Sequence, residues 1–427
     1  MLRARCDLAV NAEDTVPPGP ILIFDKSALE SLNPDESAWL DNFFLTNITP
    51  LFFAETLADL EKQVHAGRTP ESVVGNLAQK TPDMQSSPAA HHSKLLGSDL
   101  YGTETVVMDG RILRAGGKVV KLDGKSGVFF DKTKEEEALS RWQRHEFLDL
   151  ERQIAKHWRQ ELSGINLEET YAFFQKWFLM GKPKSLAEVK ALTDALIDGS
   201  PQQASLAFGM NLLAIPDAAQ REIGRRWLHE GRPSVRSFAP YFHHVYSVDL
   251  FFNLAIAADQ ISRARPSNKI DLAYVYYLPF CHVFTSSDNL HERVVPLFLR
   301  DDQSFVKGQE LKADLRKLDD HYSALPEDIK RTGFHKFANA PPDDASFLVT
   351  RLWDRHLPGW RDNKKERKEP DQSNAKELIE HLNRIEKESH SSDPSERLSA
   401  EETEYVQIQR FVSRKKGKWD RFGPDAP

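Results

Sequence analysis

Two short apolar runs, each closed by an aspartate and lying more than two hundred residues apart, constrain this chain more than any other feature. The first, Ile21 to Phe24, emerges from a Pro/Gly-rich stretch at 17–20 and ends at Asp25. The second, Cys281 to Thr285, runs through Ser286 and Ser287 to Asp288. Short, unbroken apolar runs suit strands covered on both faces, as in a parallel sheet. In such sheets ligands collect outside the carboxyl ends of the strands. A fold that pairs the two runs therefore brings two distant aspartates to one edge.

Between them the pattern is mostly helical. A helix is expected over Glu36 to Phe44, with Trp39, Phe43 and Phe44 on one side. A second starts at Thr49, an N-cap residue type, with Pro50 at the first helical position. Residues 63–100 are polar and read as a loop-rich insertion, and Val106 to Phe130 as short strands punctuated by Gly-containing turns. Thr133 and Glu136 form a capping box that opens a helical stretch through Trp158. Further helices fit 167–179, 184–198, 202–213, 216–230, Tyr241 to Arg263 and 304–322. The domain reading is a core in two halves, 18–62 and 240–323, split by an insertion at 63–239. A helical extension at 324–362 follows, then a charged, largely disordered tail at 363–427. In that tail Arg410 to Phe422 is basic, with Phe411 and Trp419 interleaved, a composition that can touch nucleic acid by charge and stacking.

Composition narrows the function classes. A charge of −7 argues against a protein that coats DNA non-specifically, because phosphate neutralisation supplies most of that affinity. No apolar run reaches the ~18 residues of a membrane span, and the basic start lacks a signal-peptide core. Two cysteines, Cys6 and Cys281, make no disulfide framework and no zinc pair. The cytoplasm is the expected compartment. His145 is followed four residues later by Asp149, not histidine, which removes the zinc-protease helix, and no phosphate-loop or serine-hydrolase motif is present. His91–His92 and His243–His244 read as loop or core residues, Cys281 as a small buried apolar residue, and Asp249 and Asp259 as structural.

The acids carry the chemistry. Asp25 and Asp288 follow strands, Glu55 lies about one and a half turns into its helix, and Asp271 opens the helix leading into the second strand. Carboxylates that crowd together repel unless a cation relieves them. Oxygen-only ligands favour Mg²⁺ or Mn²⁺. The bland alternatives are a strand-end turn for Asp25, an N-cap for Asp271, a turn pair for Asp288 and an internal ion pair for Glu55.

This order of strand and acid, with seventeen residues from Asp271 to Asp288, resembles the PIN-domain family of metal-dependent nucleases. The likeness covers roughly 18–62 and 240–323. It implies a three-layer α/β/α sandwich with a mostly parallel sheet, here interrupted by a mainly helical insertion with a β-hairpin. It implies Asp25, Glu55, Asp271 and Asp288 as catalytic and metal-holding residues for Mg²⁺ or Mn²⁺, and RNA ahead of DNA as substrate. Ser27, Thr285 and Ser286 match the family's hydroxyl positions beside the acids. Lys26, Lys312 and His291 are candidate phosphate contacts by nearness in sequence alone. The rival functional readings are a catalytically silent scaffold acting through a protein partner, and a toxin or defence nuclease restrained by one. Oligomeric state has no sequence signal.

Overall fold

Leu22, Ile23 and Phe24 are buried because strand β1 (Ile21–Phe24) is the centre of a five-stranded sheet, every pairing of which is parallel. The computed structural model describes residues 19–64, 67–83, 86–122, 125–164, 166–178, 181–363, 384–385, 387–389 and 415–423. The other strands, in chain order, are β2 (Leu45–Ile48), β3 (Ser86–Pro88), β4 (Gly117–Leu122), β5 (Lys125–Phe130), β6 (Val283–Ser286), β7 (Ser304–Lys307), β8 (Lys415–Lys416) and β9 (Trp419–Asp420). Sheet order is β3-β2-β1-β6-β7; β4 pairs with β5, and β8 with β9, as separate antiparallel hairpins.

Side chains alternate across the sheet. Ile23 and Phe284 face one core, shared with the Pro240–Ala257 helix, the 3₁₀ segment Tyr274–Phe280 and helices of the insertion. Leu22, Phe24, Val283 and Val306 face the other, shared with helices Pro34–Phe43, Pro50–Val64 and Gly308–Ser323. The result is a three-layer α/β/α sandwich. The Pro240–Ala257 helix is apolar nearly all round and correspondingly buried. No helix among the described residues is long and apolar enough to cross a membrane.

The sheet starts at β1, steps outward to β2 and β3, then returns to pair β6 on the other flank of β1. The winding direction therefore reverses between β1 and β6, and the carboxyl ends of these two strands flank the crevice where open α/β sheets bind ligands. Asp25 and Asp288 are the residues that leave those ends.

Several expectations are corrected. The stretch 63–100 is not loop-rich: it holds helices Pro70–Lys80 and His92–Tyr101 and strand β3, so the sheet continues into the span assigned to the insertion. The helical stretch from Thr133 breaks into Lys134–Trp142 and Asp149–Gly164, with His145 at positive φ between them. The 304–322 segment begins as a strand, β7, before its helix. Residues 415–423, read as part of a disordered tail, form a hairpin packed on the core; the rest of Arg410 to Phe422, including Phe411, lies outside the described residues.

Candidate metal centre

Asp25 is the N-cap of helix Lys26–Ser31, its Oδ1 accepting the Ala28 N–H at 2.9 Å. Its Oδ2 accepts from Ser27 Oγ and from Ser286 Oγ, both at 2.7 Å, and lies 3.3 Å from His291 Nδ1. The Asp25 N–H donates to the Thr285 carbonyl, extending the β1–β6 ladder by one bond. Asp288 likewise caps helix Asn289–Val294. Both aspartates are therefore helix caps and not the simple turn residues of their bland readings, while the cap position expected of Asp271 is held by Ser267; capping takes one oxygen of each.

His291, 1% exposed, is the group whose role sequence reasoning missed. Its Nε2 faces the Asp271 carbonyl at 2.6 Å, so that nitrogen carries a proton. Its Nδ1 lies 2.8 Å from Ser286 Oγ, whose own proton goes to Asp25, so Nδ1 also donates. With Asp25 Oδ2 also 3.3 Å from Nδ1, the arrangement favours the doubly protonated ring. Burial opposes that charge, yet the hydrogen bond and charge of Asp25 prevail and hold His291 up at about 9. Burial likewise works against the Asp25 carboxylate, and His291 and Ser286 hold its pKa below the ordinary value.

Glu55 and Asp271 are under-compensated. Burial first, opposed by Lys26 and then reinforced by the charges of Asp25 and Asp271, pushes Glu55 up to about 8, while Tyr274 donates to its Oε2 at 2.7 Å. Asp271, in the first turn of helix Asn268–Ala273, is pushed up to about 7 by burial, opposed by His291, and by the charges of Asp288, Asp25 and Asp59. Its carboxylate takes no hydrogen bond among the described residues. Glu55 therefore feels the charge of Asp25 and, across more than two hundred residues of chain, that of Asp271, and Asp271 feels those of Asp25 and of its near neighbour Asp288.

Other expectations change. Lys312 caps the carbonyl of Ser31 at the far end of the Lys26–Ser31 helix, where a cation is favourable, and is not a phosphate contact at the acids. Lys26 is buried, 2.8 Å from Asp59 and 3.4 Å from Glu30, which makes it a carboxylate partner. Asp59, four residues after Glu55 on the same helix face, was missed, although its spacing was the available signal. Thr285 Oγ1 and Ser287 Oγ are buried without hydrogen-bond partners. Asp249 is structural, as expected, paired with Lys269 and Tyr276, and Cys281 is a fully buried thiol whose pKa burial raises to about 12.

Among the described residues no three His, Cys, Asp or Glu side chains are arranged to hold a metal ion as they stand. The donor set nonetheless fits a hard divalent cation in kind. It is all oxygen, and burial, added to by the charges of the neighbouring acids, raises the Glu55 and Asp271 carboxyls, a shift that a bound cation would reverse.

The sign of the resulting pH dependence is fixed. Glu55, Asp271 and His291 all keep their protons to higher pH when folded, from ordinary values of 4.5, 3.8 and 6.5 to about 8, 7 and 9. Above the ordinary histidine value of 6.5, where the buried histidines of lowered pKa no longer act in the opposite sense, stability without metal should fall as pH rises through about 9. Thermal melts at pH 6.5 and pH 9 should differ by several degrees, and Mn²⁺ should narrow the gap; equal melts would contradict this.

An α/β/α sandwich with aspartates just past the adjacent strands β1 and β6 is the class this structure defines. No protein-family model, curated protein or solved structure matches the chain.

Proposed function

We propose that the protein is a PIN-like, divalent-metal-dependent nuclease, an endonuclease acting on RNA ahead of DNA in the cytoplasm. What supports this reading is that Glu55 and Asp271, both raised by burial, feel the charge of Asp25 at the end of β1, and Asp271 also that of Asp288 just past β6. Glu55, Asp271 and Asp288 would hold Mg²⁺ or Mn²⁺ with Asp25. A cation so held supplies an activated water and relief of charge on the departing oxygen. The chain's own part is orientation. Ser27, Ser286, His291 and the Ala28 N–H fix the Asp25 carboxylate, and Tyr274 fixes Glu55.

The test is cleavage of end-labelled single-stranded RNA and DNA, and of circular RNA, in Mn²⁺, Mg²⁺ or EDTA. Cleavage of the circle with metal alone supports the reading. Metal-independent cleavage, or none in any metal, sinks it. A silent scaffold is the second reading, favoured by the His291 imidazolium, which already compensates Asp25 from inside. Complete inactivity with a tightly bound protein partner is its signature.

Tyr274→Phe removes a hydrogen bond to Glu55 that favours the ionised form. Hydrogen bonds to charged groups contribute about 1.5–3 kcal/mol, and each 1.36 kcal/mol is about one pKa unit. The acid limb of the rate profile should therefore move about one to two units to higher pH. An unmoved limb would mean that Glu55 does not titrate in the reaction.

A further inference from the structure

The basic C-terminal segment is unused by the nuclease reading. Its charges are spent elsewhere. Lys416 Nζ lies 3.2 Å from Asp41 Oδ2 and donates to the Thr81 carbonyl at 2.8 Å. Arg421 Nη2 lies 3.3 Å from the same Asp41 oxygen and 2.5 Å from Asp83 Oδ1. Lys418 Nζ meets Asp319 Oδ2 at 2.6 Å, and its N–H donates to Asp35 Oδ1 at 2.7 Å. Trp419 donates to Asp319 Oδ1 at 2.7 Å and packs edge-on against Trp39, ring centroids 4.9 Å apart. Gly417 has φ +57°, and a Cβ there would come within 2.1 Å of Asp35 Oδ1.

These contacts have the form of ligand recognition. The receiving surface offers Asp35, Asp41, Asp83 and Asp319 from two helices and the loop before β3, and they meet Lys416, Lys418, Trp419 and Arg421 of the hairpin. The polar side-chain contacts of Lys416, Lys418, Trp419 and Arg421 with the core all run to residues at least ninety positions earlier. A nine-residue hairpin is unstable alone, so its order rests on the contacts that it makes with the core.

We infer that this groove is a peptide-binding site for a basic hairpin of the pattern Lys–Gly–Lys–Trp–x–Arg, filled in cis by the chain's own C-terminus and exchangeable with the same segment supplied in trans. The charge complementarity makes the exchange salt-sensitive.

The test uses the full chain with a protease site inserted between residues 395 and 405. After cleavage the C-terminal fragment should co-elute with the core at moderate salt. A fluorescent peptide covering 411–424 should then replace it, followed by anisotropy, with the core's melt retained. Peptides carrying Arg421→Ala or Trp419→Ala should bind at least tenfold more weakly, and raised salt should weaken binding. Three results would overturn the inference: a fragment lost at once with no peptide rebinding, a fragment that never exchanges, and a core that unfolds when the fragment leaves. The last two would make the hairpin an integral part of the fold.

Discussion

If the proposed nuclease reading holds, Asp288→Asn is expected to lower metal-dependent cleavage by about 10²-fold or more while the melting temperature stays within a few degrees. The rate effect follows from removing a charged oxygen donor from the cation, an interaction that contributes several kcal/mol to metal-assisted hydrolysis, at 1.36 kcal/mol per tenfold. The small effect on stability follows from the local structure. Asp288 is half-buried and caps a helix through the Leu290 N–H, a role asparagine performs about as well. Asp25→Asn should lose at least as much activity but is a less clean test. It removes the counter-charge of His291, 1% exposed, and breaking a buried pair on one side costs about 3–5 kcal/mol. His291 can shed its proton, which limits that cost near neutral pH. Steady-state rates with paired thermal melts separate the two effects. A folded Asp288→Asn protein with undiminished activity would remove this residue from the site.

The second large effect lies far from the acids in sequence. Asp41→Ala leaves Lys416 and Arg421, each 4% exposed or less, with Asp83 as the one remaining carboxylate paired to them among the described residues. An uncompensated buried charge costs about 3–5 kcal/mol. The hairpin can instead leave the core and return both cations to water, so the penalty is capped at the free energy of its docking. The expected result is selective loss of hydrogen-exchange protection at 415–423, with a smaller fall in the global melt. Acid should act similarly. Despite its burial, Asp83 is held well below its ordinary pKa by Lys416 and Arg421, so its stabilisation is present above the unfolded value near 3.8 and is lost as pH falls below it. Uniform protection in the variant would show that the charge network does not hold the hairpin.

The legible part of this fold was the part written in apolar runs. β1 and β6 are continuous hydrophobic stretches ending in polar residues, so their pairing and the acids after them could be read. β2 (Leu45–Ile48) contains Thr46 and Asn47, and β3 is Ser86, Ser87 and Pro88; neither shows a hydrophobic pattern. β3 is an edge strand, where proline is tolerated, and its burial comes from neighbours distant in the chain. The same limit applies to the site. Asp25, Glu55, Asp271 and Asp288 were readable from strand and helix context. The imidazolium of His291 depends on an Asp271 carbonyl and a Ser286 hydroxyl brought together by tertiary structure. Lys312 looked free because its partner, a main-chain carbonyl, has no sequence signature. The C-terminal cations resembled a nucleic-acid contact because Asp41 and Asp83 lie more than three hundred residues away.

Titrating Mn²⁺ into the wild-type protein and into Asp271→Asn and Asp288→Asn, with free Mn²⁺ read by electron paramagnetic resonance, tests the crevice most directly. Saturable binding to the wild type, weakened at least tenfold in each variant and lost as the solution is acidified towards pH 4, is the result this account predicts. Affinity that is identical in all three proteins, or no binding to the wild type at neutral pH, would contradict it.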